Sequence, residues 1–219
     1  MEALIRSVDE SIRSTDFVKL SSIFTHHSFG GWRTLGGGEQ RALAAHFVRS
    51  AVSPPYLTTF LPTALQSSEG LNVVETALAQ LSSGPPVENA SDNILRQLMF
   101  EHKINETNDY SGAAKILASL RMEDDPGSVY HMSAADMCDV YVKIAECYLE
   151  EDETVEADSA VTKAGGVVEE ITNPEDHRTL ILRYKSTYAR VLDANRKFLQ
   201  AATRYHDLSQ AHEDVNAED

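Results

Sequence analysis

The sequence predicts an all-α protein built as a right-handed solenoid of antiparallel helical hairpins. Three observations predict it. Apolar residues recur at i, i+3 and i+4 along most of the chain, the spacing of a helix face rather than of a strand. Small and apolar residues in the C-terminal half return at an interval of 44 residues. Between these runs lie caps, glycines and prolines that start and stop helices.

Residues 1–29 hold one or two helices, with Leu4, Ile5, Val8 and Ile12 on one stripe and Phe17, Leu20, Ile23 and Phe24 on the next. Gly30–Gly38, GGWRTLGGG, reads as a loop. It has neither the Gly-Lys-Ser/Thr ending of a P-loop nor GxGxxG spacing after a strand, so a phosphate cradle is not expected. Trp32 within it is expected to cap the first helices. Glu39–Val52 is a helix with Leu43, Phe47 and Val48 inward, ended by Pro54-Pro55. Tyr56–Gln66 and Leu71–Leu81 are further helices, and Gly84-Pro85-Pro86 marks a boundary.

Beyond that boundary the repeat begins. Ala113, Ala157 and Ala201 coincide at the 44-residue offset, as do Phe100, Ile144 and Tyr188. Ile104, Tyr148 and Leu192 follow the same register, and so do Leu117, Val161 and Tyr205. These are the expected hairpin-packing positions: alanines let helix backbones approach, and larger side chains fill the space beside them. A period in this range means stacked helical units of the tetratricopeptide or HEAT kind, each burying its face against a neighbour. The expected domains are therefore 1–92, N-terminal helices with the glycine-rich loop; 93–210, three hairpin repeats continuing them in one solenoid; and 211–219, an acidic tail that frays. Asp92 or Asn93 is expected to cap the helix Ile94–Ile104, and Ser133 with Asp136 resembles a capping box. Asn173-Pro174-Glu175-Asp176 reads as a cap, a proline at the first helical position and two acids in the first turn. Arg121–Met132 and Gly165–Thr172 are the expected connectors. In the last hairpin, Phe198, Ala201, Ala202, Tyr205 and Leu208 are expected to face inward.

Charge and cysteine content narrow the function classes. Against 19 lysines and arginines stand 34 acids, a net charge of −15, which repels phosphate backbones and argues against nucleic acid. Residues 1–92 carry six bases and nine acids, while residues 93–219 carry 13 and 25. Cys138 and Cys147 are nine residues apart, on opposite sides of one helix, and no CxxC or Cys/His spacing suggests zinc. No run approaches the ~18 apolar residues of a membrane span, and the N-terminus lacks a signal peptide's apolar core. Asn89-Ala-Ser and Asn105-Glu-Thr match the glycosylation pattern by chance.

Two charged constellations are candidate protein contacts. Glu150, Glu151, Asp152 and Glu153, followed by Glu156 and Asp158, form an acidic run. It lacks the central glycine and alternating ligands of a calcium loop, which leaves a solvated turn or an acidic contact for a basic partner. Arg183 and Arg190 lie seven apart on one helix, and Lys197 and Arg204 repeat that spacing on the next. With Lys185 and Arg196 they make a basic hairpin. It is either a solvated helix face, with pairing to Asp193 or to acids of the preceding hairpin, or a docking strip for an acidic partner, with Arg183 and Arg190 exposed. His26-His27 is the only histidine cluster among eight. There is no HExxH, His-x-His or GxSxG, and no nucleophile motif around either cysteine. No catalytic residue, metal or cofactor is expected.

The segment from Tyr188, YARVLDANRKFLQAATRYHDLS, resembles the subunit 4 family of the COP-nine (constitutive photomorphogenesis nine) signalosome, with its Tyr-Ala-Arg, Arg-Lys-Phe, paired alanine and Arg-Tyr elements. IAECYLEEDETVEADSAVTKA, Ile144–Ala164, is similar in turn, and weaker similarity runs back through Ala113–Leu117 to Ala42–Val52. The glycine-rich stretch and Gly165-Gly166 depart from the pattern. The family's C-terminal PCI module, with its winged helix, is expected to have no counterpart in these residues. The resemblance implies a non-enzymatic scaffold of a complex that removes NEDD8 from cullins, the zinc chemistry belonging to another subunit. It implies other signalosome subunits and a cullin–RING ligase as partners (the cullin C-terminal region and the RING protein), no nucleic acid or membrane, and a location in cytoplasm and nucleus. The homologous subunit of the 26S proteasome lid and a free-standing helical adaptor are the alternatives.

Overall fold

A computed structural model describes residues 1–25, 32, 35–82, 84–85, 90–123 and 125–216. His26-His27, residues 30, 31, 33 and 34 of the expected glycine-rich loop, Pro86, Asn89 and residues 217–219 lie outside the described residues. The described residues are helical, with one isolated β-bridge and no strand. They form an all-α helical-repeat fold. Contacts divide the chain into two compact units, Met1–His102 and Lys103–Asp219.

The first unit holds α1 (Glu2–Ser14), α2 (Phe17–Thr25), α3 (Gly37–Ala51), α4 (Pro54–Leu57), α5 (Phe60–Gln66), α6 (Ser68–Ser82) and α7 (Ser91–His102). Helix α6 packs on α2, α3 and α5, so its apolar positions Val73, Val74, Ala77, Leu78 and Leu81 are all buried. A chain of aromatic contacts fills the core: Trp32 on Phe24 at 5.0 Å, Phe24 on Phe47 at 5.4 Å, and Phe60 on both Phe47 and Phe17. Trp32 is buried there and covers the first helices. Pro54 and Pro55 open the short helix α4, where their missing N–H groups cost nothing. Gly70 is required by close approach, because a Cβ there would meet the Ala64 carbonyl oxygen of α5 at 2.4 Å. Helix α7 starts at Ser91, placing Asp92 and Asn93 inside its first turn and buried, rather than at a cap.

The second unit begins with a π-helical turn, Lys103–Thr107, and continues with α8 (Tyr110–Ala118), α9 (Ala134–Glu150), α10 (Thr154–Val168), α11 (Arg178–Ala194) and α12 (Phe198–Asn216). Asp109 caps α8 by accepting the Gly112 N–H at 2.8 Å, and Lys103 Nζ donates to its other oxygen at 2.8 Å. The lysine bond first, then the capping N–H, hold the Asp109 carboxyl below its usual range. Helices α9 and α10 form an antiparallel hairpin. Helix α8 packs on α9, α11 on both α9 and α10, and α12 on α11. Ser133 caps α9, its hydroxyl accepting the Asp136 N–H at 3.1 Å and donating to the Asp136 carboxylate at 2.6 Å. The 121–132 connector is tied down by the bridge Glu123–His131 and by the buried ring of Tyr130.

Several expected boundaries move. Helix α10 runs through Gly165-Gly166 instead of stopping there. A Cβ at Gly165 would lie 2.8 Å from the Tyr184 hydroxyl, so glycine is there for the approach of α11, and not as a stop. The segment at Asn173 is a series of turns with i to i+3 bonds, and Asn173 is left-handed at φ 58°, so α11 opens only at Arg178. Helix α12 continues through Asn216, past the start of the expected frayed tail, since neither glycine nor proline interrupts it.

Candidate protein-interaction surface

The charged residues of the second unit sit on helix faces set by their spacing. On α9, Asp139, Lys143, Glu146 and Glu150 fall at i, i+4, i+7 and i+11, one continuous stripe. On α11, Arg183 and Arg190 are two turns apart on the face that meets it. Arg183 Nε donates to Glu146 Oε1 at 2.9 Å, its second fork nitrogen also reaches Glu146, and Nη1 donates to Asp139 Oδ1 at 3.0 Å. Thr187, itself buried, adds a bond to Glu146 at 3.2 Å, and Lys143 holds Asp139 at 2.6 Å. The Glu146 bond raises the Arg183 guanidinium above its usual range, against the opposing effect of burial. Arg190 Nη2 donates to Glu150 Oε1 at 3.1 Å. Lys197 lies 3.8 Å from Asp158, and the Arg204 guanidinium sits over the Tyr188 ring at 5.3 Å.

The basic hairpin is thus turned toward the chain's own acids. Arg183 is half-buried and not exposed as expected, because α9 presents a matching carboxylate stripe two turns long. Arg190, Lys197 and Arg204 are exposed at their outer edges, as are Lys185 and Arg196. In the acidic run, Glu150 is taken by Arg190, and Glu153 accepts a bond from Ser111 at 3.0 Å. Asp152 turns the chain in the left-handed region at φ 56°, letting the Glu153 N–H close on the Tyr148 carbonyl at 2.9 Å. Glu151 and Asp152 face solvent.

The hairpin-packing positions lie in or beside the core. Ala113, Ala157, Ala201 and Ile144 are buried, while Phe100 and Tyr188 are half-buried. Cys138 and Cys147 are buried on α9, and desolvation first, with neighbouring acids adding to it, pushes both thiols up to about 11. At neutral pH they are protonated packing groups, not nucleophiles. Among the described residues no three His, Cys, Asp or Glu side chains gather as a metal site, and no helix is long and apolar enough to cross a membrane.

Two surface features carry no motif. A groove of about 360 Å³ opens between α8, α9 and α10, floored by Leu120, Tyr141, Ile144 and Tyr148 with Lys163 at its rim. The other is the outer face of α12. Phe198 and Leu199 are 61% and 88% exposed, and Tyr205 is 41% exposed. Ala202 shares that face. Phe198, Ala202 and Tyr205 were expected inward; only Ala201 is buried, with Leu208 half-buried, because α12 packs on α11 along a single stripe. Helical periodicity locates an apolar face but does not say how much of it a neighbour covers.

Comparison with known proteins adds a family signal. A family model described as PSMD12/CSN4, N-terminal, matches residues 74–216, well over half of the chain. COP9 signalosome complex subunit 4 of Arabidopsis thaliana is 36% identical over 102 residues, 47% of this chain and 24% of that protein. The Dictyostelium discoideum protein of the same name is 41% identical over 71 residues, 32% of this chain and 17% of its own. That of Drosophila melanogaster is 45% identical over 69 residues, 32% of this chain and 16% of its own. The match spans about a quarter or less of each relative.

Proposed function

Since the chain belongs to the PSMD12/CSN4 N-terminal family, we propose that it acts as a non-catalytic helical arm in a COP9 signalosome-type complex, holding a cullin–RING ubiquitin ligase for deneddylation by another subunit. The observation that carries this reading is the match to signalosome subunit 4 over the helical-repeat segment. Two features of the fold support it. The Arg183–Glu146–Asp139 stitching between successive hairpins stiffens the stack, and a rigid arm is what positioning a large substrate requires. The exposed apolar stripe of α12 is a contact face of the kind that multisubunit assemblies cover. The arm itself supplies no chemistry in this reading, and its workplace is the cytoplasm and nucleus.

A second reading has its own observation, because the matching family also includes PSMD12. Affinity purification of the tagged chain from cells separates the two. Recovery of signalosome subunits together with a cullin and its RING protein is the expected result. Recovery of proteasome-lid subunits in their place would overturn it in favour of the second reading. Leu199→Glu on the α12 stripe should reduce that recovery severalfold while leaving helix content intact.

A further inference from the structure

The first unit contains a polar cleft that neither the repeat nor the family accounts for. Asp9, Ile12 and Arg13 fall at i, i+3 and i+4 on α1, and His46, Arg49 and Ser50 take the same spacing on α3. Where α1 and α3 pack, these two faces line one cleft of about 430 Å³, joined at its end by Tyr56. Ile12 is buried at its floor. Arg13 and Arg49 approach it from the last turns of their helices. Neither guanidinium has an ion pair or hydrogen bond among the described residues, in a chain whose acids outnumber its bases 34 to 19.

The acid in the cleft does not neutralise them. Asp9 Oδ1 is held by His46 Nε2 at 2.8 Å and faces the Ser50 hydroxyl at 3.4 Å. Two guanidiniums against one carboxylate leave the cleft positive even with His46 neutral. Each arginine offers a planar fork of N–H donors, and a phosphate dianion has enough oxygens to satisfy both, where a single carboxylate fills one. Tyr56, whose side chain carries a hydroxyl, lines the same cleft. Helix-end arginines also complement the carbonyl ends of their helices, but that role does not require both to line one cleft. A polyanion would be repelled by the net charge of −15, so one phosphate on a short, otherwise uncharged stretch is the better fit.

We infer that this cleft binds a phosphorylated serine or threonine in an extended segment of a partner protein. The test titrates the full chain into a fluorescein-labelled peptide, Gly-Ala-phosphoserine-Ala-Gly, at about 0.1 M salt, where only close charge contacts survive screening. Its unphosphorylated and aspartate forms, inorganic phosphate and free O-phosphoserine serve as comparisons. The phosphopeptide should bind about tenfold or more tighter than either altered peptide and tighter than either free phosphate source. Arg13→Ala with Arg49→Ala should remove that preference, and Arg6→Ala, exposed on α1 outside the cleft, should leave it. Should the double variant fail to fold, the Tyr56 and His46 ring resonances of the wild type must shift on titration with the phosphopeptide. Equal affinity for phosphorylated and unphosphorylated peptides, inorganic phosphate or O-phosphoserine binding as well as the phosphopeptide, or unmoved ring resonances would each overturn the inference.

Discussion

Helices α10 and α12 occupy the same place in the repeat, 44 residues apart, yet they differ in what covers them. Both bury their register alanine, Ala157 in one and Ala201 in the other, against the preceding helix of their own hairpin. The next matched pair diverges. Val161 on α10 is buried, whereas Tyr205 on α12 is 41% exposed. Helix α10 is also packed by α11, closely enough for Tyr184 to reach Gly165, whereas the main packing of α12 among the described residues is on α11. The lesson is that a hairpin buries one stripe by itself and a second only when another hairpin stacks on it.

Thiol labelling should show the largest effect. Cys138 and Cys147, on α9 among α8, α10 and α11, are shifted from 9.0 to about 11, which alone lowers the thiolate fraction about a hundredfold. A cysteine introduced by Leu199→Cys on the bare face of α12 should react with a maleimide at pH 8 at least about a hundredfold faster than either native cysteine. Comparable rates would mean that α9 is not covered. The sign of the pH effect follows from the same shift. A thiol whose folded value lies above its unfolded one adds stability below the unfolded value and loses it on rising to the folded one. Stability should therefore fall between about pH 9 and 11.

Overpacking separates the two helices next. Ala157→Leu should cost about 2–3 kcal/mol in denaturant unfolding, because neighbours confine α10 on two sides. Ala201→Leu should cost about 1 kcal/mol or less, since α12 can shift outward. Equal losses would show that α12 is held as firmly as α10.

The smallest effects should come from the charges between hairpins. Arg183→Ala breaks a forked, half-buried contact to Glu146 and Asp139, and about 1 kcal/mol is expected once solvent screening is allowed for. Arg190→Ala removes an exposed pair to Glu150 and should cost about 0.3 kcal/mol. A double-mutant cycle of Arg183 with Glu146 measures the first directly. Coupling no larger than that of Arg190 with Glu150 would remove the stitching role.

Much of this was legible in the residues alone. Apolar spacing determines that the chain is helical and which side of each helix is apolar, because the 3.6-residue turn is a local property of the backbone. The 44-residue return of Ala113, Ala157 and Ala201 marks the first turns of α8, α10 and α12, where close backbone approach demands a small side chain. Caps such as Ser133 with Asp136 were readable for the same reason, since their bonds span three residues. Tertiary structure alone decided the rest. Gly165-Gly166 looks like a stop until Tyr184 is seen lying against it. Arg183 looks like a free cation until α9 brings Glu146 and Asp139 to it from 37 and 44 residues away. Arg13 and Arg49 stand 36 positions apart in the sequence, and only the packing of α1 on α3 puts them in one cleft. Pairing and burial are relations between segments, and their energies depend on distances that no local pattern encodes.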